Sequence, residues 1–171
     1  MHWKPYVPVR SAVHEMTECI IGIDQASSAG WAICDRSGVI QAYGVQVTAG
    51  IPGMKLYRFL TWLDALVEQQ KPILIVHEQP HFRGFSSSFL GCGFAAIIHL
   101  VAAKHNVEVA AVHTQELKKW ATGSGGASKE DMVRAAEKVI GKNLSVKKDN
   151  DKADAIHIAR WGALQWLSAN Q

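Results

Sequence analysis

The pattern of apolar and polar positions divides the chain into strands and helices. Short apolar or alternating runs predict five strands, and apolar residues at helical spacing predict helices between and after them. The predicted strands are 19–24, 30–34, 39–48, 73–78 and 107–112. The predicted helices are 54–70, 89–104, 114–120, 128–141 and 150–167. The first three strands therefore form an antiparallel meander, and the rest alternates helix and strand before ending in helices.

This order of elements resembles the ribonuclease H-like fold. The resemblance implies an α/β domain over residues 17–171, with a five-stranded mixed sheet, the first strand at its centre and helices on both faces. Residues 1–16 contain two prolines and no apolar core of a signal peptide, so they are predicted to form an amino-terminal arm.

Four acids stand at positions where a carboxylate is costly. Asp24 and Glu78 each end an apolar strand, and the carboxyl ends of strands in open α/β sheets face the ligand crevice. Asp151 and Asp154 are three residues apart, hence neighbours on one face of the last helix, near whose start the backbone dipole favours their charge. In the predicted fold these segments meet at one point.

Such a cluster favours a divalent metal site. Crowded carboxylates repel one another unless a cation lies among them, and oxygen-only ligands suit Mg²⁺, with Mn²⁺ as a substitute. Two such ions would support hydrolysis of a phosphodiester. Taken singly, each acid could instead be a turn residue, an ordinary strand-end residue or a helix cap.

Three histidines lie near these acids. His77 and His81 flank Glu78, but their spacing and the lack of a third placed ligand argue against zinc. His157 lies one helical turn beyond Asp154. It is a candidate for a supporting or acid–base role, although a histidine on a helix face is more often structural.

Basic and aromatic residues beside the acids suggest contact with a polyanion. Lysines cluster in the last third of the chain, where Lys118, Lys119 and Lys129 are the candidates for DNA binding. In the loop after Glu78, His81, Phe82 and Arg83 could contact unpaired bases, although Phe82 could equally be a core residue under the loop. The alternative for the lysines is a set of solvated helix faces.

Composition agrees with a single cytoplasmic domain. The chain has 171 residues, is 48% hydrophobic and carries a net charge of +3. Its three cysteines show no disulfide spacing, which fits a reducing compartment. The most apolar stretch, 89–103, is judged too short to span a bilayer and is read as a buried helix.

The residues resemble one family, the RuvC-type Holliday junction resolvases. Ile-Gly-Ile-Asp24 is similar to the family's first acidic strand, His77-Glu78-Gln79 to its second acid, and Asp151-Lys-Ala-Asp154 to its terminal acidic helix. The most specific stretch is His113–Glu130, which contains a threonine–glutamine pair, a double lysine and a glycine-rich run. The likeness covers nearly all of the chain from Cys19 onward.

The resemblance implies a homodimer that nicks two strands of a four-way DNA junction symmetrically, leaving 5′-phosphate and 3′-hydroxyl ends. The four acids would bind two Mg²⁺ ions, Lys118 and Lys129 would contact DNA, and Phe82 or His81 would meet unpaired bases. The helix over 89–104 would form the dimer contact. A branch-migration helicase partner cannot be named from the sequence.

The chain also departs from the family pattern. Gln25-Ala26-Ser27-Ser28 follows Asp24 where the family usually has proline and glycine, and Pro80-His81 alters the following loop, which is suggestive of a phage or mobile-element version. Alternatives are a ribonuclease H-like nuclease of other specificity, acting on RNA–DNA hybrid, structured RNA or branched DNA generally, and a junction-binding protein without turnover. An actin-like sugar kinase would need a second domain.

Overall fold

The computed structural model describes residues 18–80 and 85–170, apart from the side chains of residues 85–87. The predicted amino-terminal arm over 1–16 lies outside the described residues. The three loop candidates for base contact, His81, Phe82 and Arg83, lie outside them as well.

Five strands form one mixed sheet. They are β1 (Cys19–Asp24), β2 (Ser28–Asp35), β3 (Ile40–Val47), β4 (Leu74–Glu78) and β5 (Glu108–Val112). Their order across the sheet is β3-β2-β1-β4-β5, with β1 antiparallel to β2 and parallel to β4. Strands β2 and β3 pair antiparallel, and β4 and β5 pair parallel. The predicted meander and the central position of the first strand are confirmed.

Helices connect and follow the strands. They are α1 (Pro52–Gln70), α2 (Phe85–His105), α3 (Thr114–Thr122), α4 (Lys129–Ile140) and α5 (Val146–Trp161). A π-helical segment (Gly162–Trp166) and a last short turn (Leu167–Ala169) continue α5. A capping box starts α4, because Ser128 and Asp131 each bind the backbone N–H of the other.

The two faces of the sheet are covered by different helices. Residues of α1 and α2, including Phe59, Trp62 and Phe94, pack against the face that carries Ile21 and Ile23. Residues of α3, α4, α5 and the π-helical segment pack against the opposite face. Since side chains alternate across a strand, β1 serves both cores.

Four elements begin earlier than the sequence pattern predicts, and the first helix is one of them, since α1 starts at Pro52 instead of residue 54. β2 starts at Ser28 instead of residue 30, and α2 starts at Phe85 instead of residue 89. α5 starts at Val146 instead of residue 150, because the Asp149 carboxylate accepts a hydrogen bond from the Ser145 backbone at 2.8 Å and fixes the first turn there. The expectation that Asp151 lies near the helix start, where the dipole favours its charge, is therefore wrong.

Helix α2 is strongly apolar, and it is longer than the helix that the sequence predicts over 89–104. Its segment Ser88–His105 has a mean hydropathy of 1.3 over 18 residues, which by length and composition alone is enough to cross a membrane. The expectation that this stretch is too short is corrected. Its inner side nevertheless packs into the core through Phe94, Ile98 and Val101, as a helix covering a sheet does.

Candidate active site

The site begins where two neighbouring parallel strands end. In the register of β1 and β4, Ile23 pairs with His77, so Asp24 and Glu78 follow each other at the same edge of the sheet. The carboxyl ends of parallel strands meet at one edge, which is where ligands bind in open α/β sheets. Both acids are partly buried at this edge.

Helix α5 crosses β1 and β2 at unusually short range and brings the other two acids to the same edge. A Cβ atom on Gly30 would lie 1.9 Å from the backbone oxygen of Asp151. A Cβ on Gly22 would lie 2.3 Å from the backbone nitrogen of Ala159. Only the absence of side chains at these two strand positions allows the helix backbone to approach the sheet so closely.

The electrostatics show that the acids influence one another. Burial raises the pKa of Asp24 well above its usual range, and the negative charges of Asp154, Glu78 and Asp151 raise it further. Burial, followed by the charges of Glu78 and Asp151, raises the pKa of Asp154 to about 7. The structure therefore brings the four predicted acids together in one partly desolvated cluster.

Polar neighbours hold two of these carboxylates. The Thr114 hydroxyl donates to Oε1 of Glu78. The Ser28 hydroxyl donates to Oδ2 of Asp151 at 2.9 Å, and the Asn150 amide donates to its Oδ1 at 2.6 Å. These neutral donors stabilise the charged carboxylates without neutralising the cluster.

Sequence reasoning missed these supporting residues. His113 occupies the cap position of α3 and accepts from the Gln115 backbone, and the Thr114 hydroxyl in the first turn donates to Glu78. Ser28 was assigned to a turn, whereas it lies in β2 opposite α5. Their sequence positions gave a signal for both. Thr114 comes two residues after Val112, which pairs with Glu78, and Ser28 comes two residues before Gly30, which pairs with Asp24.

The glutamine after Asp24 ties the two strand ends together. Nε2 of Gln25 donates to the backbone oxygen of Glu78 at 2.5 Å. Nδ1 of His77 lies 2.8 Å from the same oxygen, which therefore meets two donors. Oε1 of Gln25 is buried and meets no hydrogen-bond donor among residues 18–80 and 85–170.

Two of the predicted lysines have electrostatic contact with the acids. The charge of Lys129 lowers the pKa values of both Asp24 and Asp154, although burial and the neighbouring acids outweigh it. The charge of Lys118 likewise lowers the pKa of Asp154, and its Nζ donates to the Ala127 carbonyl at 2.7 Å. Lys119, the third predicted lysine, is exposed on α3.

His157 is not oriented as a partner of the acids. Its ring is buried, and Nε2 lies 3.0 Å from the backbone oxygen of Met132 in α4. Burial lowers its pKa, so the ring is neutral and joins α5 to α4. The expectation of a supporting or acid–base role beside Asp154 is corrected to a packing role between these helices.

The donor set of the cluster suits a hard divalent cation. It consists of carboxylate oxygens, which is the ligand type of Mg²⁺ and Mn²⁺, and the repulsion that raises two pKa values is relieved by positive charge. In the part of the chain that the structure describes, no three acidic, histidine or cysteine side chains already surround a common point. Glu78 and Asp151 are instead turned toward Thr114 and Ser28.

A mixed sheet of this strand order, with acids at the ends of β1 and β4 and on the helix that crosses them, defines a ribonuclease H-like nuclease. The family profile described as "Crossover junction endodeoxyribonuclease RuvC" matches residues 20–160. The chain belongs to this family, which comprises metal-dependent nucleases that hydrolyse phosphodiester bonds of DNA at crossover junctions.

Sequence relatives agree with this assignment. The crossover junction endodeoxyribonuclease RuvC of Anaeromyxobacter sp. (strain K) is 31% identical over 146 residues, which cover 82% of this chain and 77% of the relative. The protein of the same name from Brachyspira hyodysenteriae is 27% identical over 142 residues, covering 82% and 84%. The suspected family is thus confirmed.

Solved structures share the fold. The structure of Thermus thermophilus RuvC has a TM-score of 0.75 at 18% identity, covering 89% of this chain and 97% of that one. The same protein "in complex with Holliday junction substrate" gives a TM-score of 0.76 at 17% identity, covering 89% and 96%. The yeast mitochondrial resolvase Ydc2 gives 0.63 at 16% identity, covering 89% and 80%. The predicted ribonuclease H-like fold is confirmed.

Proposed function

We propose that this protein resolves four-way DNA junctions by paired, symmetric, metal-dependent hydrolysis of phosphodiesters. The observation that carries the proposal is the convergence of Asp24, Glu78, Asp151 and Asp154 at one edge of the sheet, in a chain of the crossover-junction nuclease family. The products would be ends with a 5′-phosphate and a 3′-hydroxyl, which a ligase can join.

The four acids would hold two Mg²⁺ ions, with Mn²⁺ as a substitute. When bound, such ions would supply activation of a water molecule and stabilisation of the leaving oxygen. The protein contributes the ligands and their positions: Thr114 orients Glu78, and Ser28 orients Asp151.

The lysines beside the cluster would bind the DNA backbone. Lys129 begins α4 and Lys118 lies on α3, and the charges of both reach Asp154. A phosphate near the acids would therefore meet these cations, and the exposed Lys119 on α3 would add to the attraction for DNA. His81, Phe82 and Arg83 remain our candidates for contact with unpaired bases.

A homodimer would supply two such sites for the two nicks. The outer side of α2 carries Phe89, 52% exposed, and Leu100, 60% exposed, with exposed alanines at 96 and 103. An apolar helix face of this kind is typical of an interface between subunits. We propose that the segment over 89–104 forms the dimer contact, and that the protein acts in the cytoplasm, where its three cysteines stay reduced.

The test is cleavage of a synthetic four-way junction with Mg²⁺. Wild-type protein should cut two strands of like polarity at symmetric positions. Asp24→Asn should bind the junction but not cut it, because the substitution removes one ligand charge and keeps the shape of the side chain.

RNA–DNA hybrid and a three-way branch serve as competing substrates in the same assay. Ready cleavage of the hybrid with an intact junction would contradict the proposal in favour of another ribonuclease H-like specificity. Binding of the junction with no cleavage under any divalent ion would favour a junction-binding protein.

A further inference from the structure

Gln25 lies between Asp24 and Glu78. Its Nε2 makes a hydrogen bond, whereas its Oε1 has no partner among the described residues. Gln25 directly follows Asp24 at the end of β1, and its Nε2 reaches across to the backbone oxygen of Glu78 at the end of β4. The side chain therefore connects the end of β1, which carries Asp24, to the end of β4, which carries Glu78.

The orientation of this amide follows from its partner. The backbone oxygen of Glu78 can only accept, so the NH₂ end of Gln25 must face it. His77 points its Nδ1 at the same oxygen, which fixes that nitrogen as a donor as well. Oε1 of Gln25 is therefore an acceptor, directed away from the carbonyl.

That acceptor is buried without a donor. Oε1 has no hydrogen-bond partner among residues 18–80 and 85–170. The two acids at the strand ends that Gln25 connects, Asp24 and Glu78, accept hydrogen bonds in their ionised forms. A buried acceptor without a donor is costly, so a donor absent from the described chain is required.

We propose that Gln25 is a positioning residue for the divalent cation, with Oε1 accepting a hydrogen bond from a water molecule of the ion's hydration shell. Magnesium ions keep several waters when bound by a few carboxylates, and those waters need acceptors around them. Nε2 at the same time holds the end of β4. The inference rests on the proposed metal-dependent function and concerns a residue at which the chain departs from the family's usual proline.

The experiment measures Mn²⁺ binding to DNA-free protein by calorimetry or by the electron paramagnetic resonance signal of free Mn²⁺. Gln25→Met removes both donor and acceptor at similar size, and its affinity should fall by about 10–100-fold, as is typical when a supporting partner of a metal ligand is lost. Gln25→Glu loses the donor and keeps the acceptor oxygens, so it should bind Mn²⁺ at least as tightly as wild type. Gln41→Met on β3 is the matched control and should leave the affinity unchanged.

The outcomes separate this inference from the proposed function. If wild type binds no Mn²⁺, the metal site itself fails. If wild type binds and Gln25→Met binds equally well, or if Gln25→Met and Gln25→Glu weaken binding alike, the acceptor role is overturned while the nuclease assignment stands. Thermal unfolding checks that each variant folds, and Gln25→Ala, for which the same loss is expected, replaces Gln25→Met if that variant does not.

Discussion

The surroundings of Asp154 make its ionisation unfavourable. Burial and two neighbouring acids raise its pKa to about 7, compared with 3.8 for an isolated aspartate. A carboxyl group whose pKa is raised by folding stabilises the folded protein while it is protonated, and this contribution disappears as the pH rises through about 7. The metal-free site is therefore a source of instability above neutral pH.

We expect Asp154→Asn to stabilise the metal-free protein relative to wild type, and to do so more at about pH 8 than at about pH 5. At the lower pH wild-type Asp154 is already protonated, so the substitution changes its charge little. Denaturant unfolding of both proteins at both pH values measures the effect, and the comparison at fixed pH cancels the titration of His77 and His157.

The control is Glu108→Gln, at an exposed acid on β5. An equal gain in stability from Glu108→Gln and Asp154→Asn would indicate general charge reduction rather than relief of the cluster. Added Mg²⁺ should stabilise wild type and have less effect on Asp154→Asn, since the variant has lost a ligand.

At the scale of elements, the position of α5 depends on two residues without side chains. Gly22 and Gly30 remove the side chains that would otherwise separate this helix from β1 and β2. The same close approach brings Asp151 within hydrogen-bond distance of Ser28. Helix packing and site geometry are therefore set by the same contacts.

Gly30→Ala should destabilise the protein by about 1–3 kcal/mol or more, as overpacking of a filled interior does, and should reduce junction cleavage strongly. The added Cβ would meet the backbone of Asp151 at 1.9 Å, and backbone cannot rotate away. Urea unfolding and cleavage rates measure the two effects.

Gly53→Ala in the first turn of α1 is the matched control. Among the described residues, no atom other than those of its chain neighbours and the adjoining helix backbone lies within 4 Å of the added Cβ, so stability should be unchanged or higher by up to about 1 kcal/mol. A similar loss of stability in both variants would argue against steric control of α5.

Lys129 lies in the first turn of α4, and its charge lowers the pKa values of both Asp24 and Asp154. Lys129→Ala should weaken junction binding and reduce the slope of log affinity against log salt by about 1, because one phosphate contact is lost. Binding is measured with Ca²⁺ or without a divalent ion, so that cleavage does not intervene.

Lys55→Ala on α1, on the opposite face of the sheet, should leave the slope unchanged. An unchanged slope for Lys129→Ala would count against DNA contact at this position. Lys118 is the less suitable test, because its bond to Ala127 also holds the glycine-rich loop.

At the scale of the whole molecule, the two faces of the sheet have separate tasks. One face carries α3, α4 and α5 with the lysines and two of the acids, and the other carries α1 and α2. The apolar outer side of α2 then remains available to a second copy of the chain, on the side of the sheet away from α5.

Leu100→Asp should convert the proposed dimer into a monomer, because it places a charge on the exposed apolar side of α2. Sedimentation measures the assembly state, and a supercoiled cruciform plasmid reports whether both strands are cut in one binding event. Paired cutting should be lost.

Val39→Asp, at an equally exposed apolar residue between β2 and β3, should preserve the dimer and is the control. A wild-type monomer at micromolar concentration would contradict the paired mechanism, and so would paired cutting by a monomeric Leu100→Asp protein.

Much of the fold followed from local patterns. The apolar runs ending in Asp24 and Glu78 predicted β1 and β4, and apolar residues at helical spacing predicted α1. Element starts set by more distant contacts were missed, such as Ser28 in β2, whose role depends on α5 lying opposite.

The sequence by itself determined the order of elements, the family and the identity of the four acids, because apolar periodicity and motif spacing are local properties of the chain. Only the tertiary structure decided what surrounds those acids. It separated Asp149, which pairs with Lys152 and the start of α5, from Asp151, which faces Ser28. It also joined Gln25 to Glu78 across 53 positions. Contacts between residues so far apart depend on how α5 and the strands pack, and no local pattern records that packing.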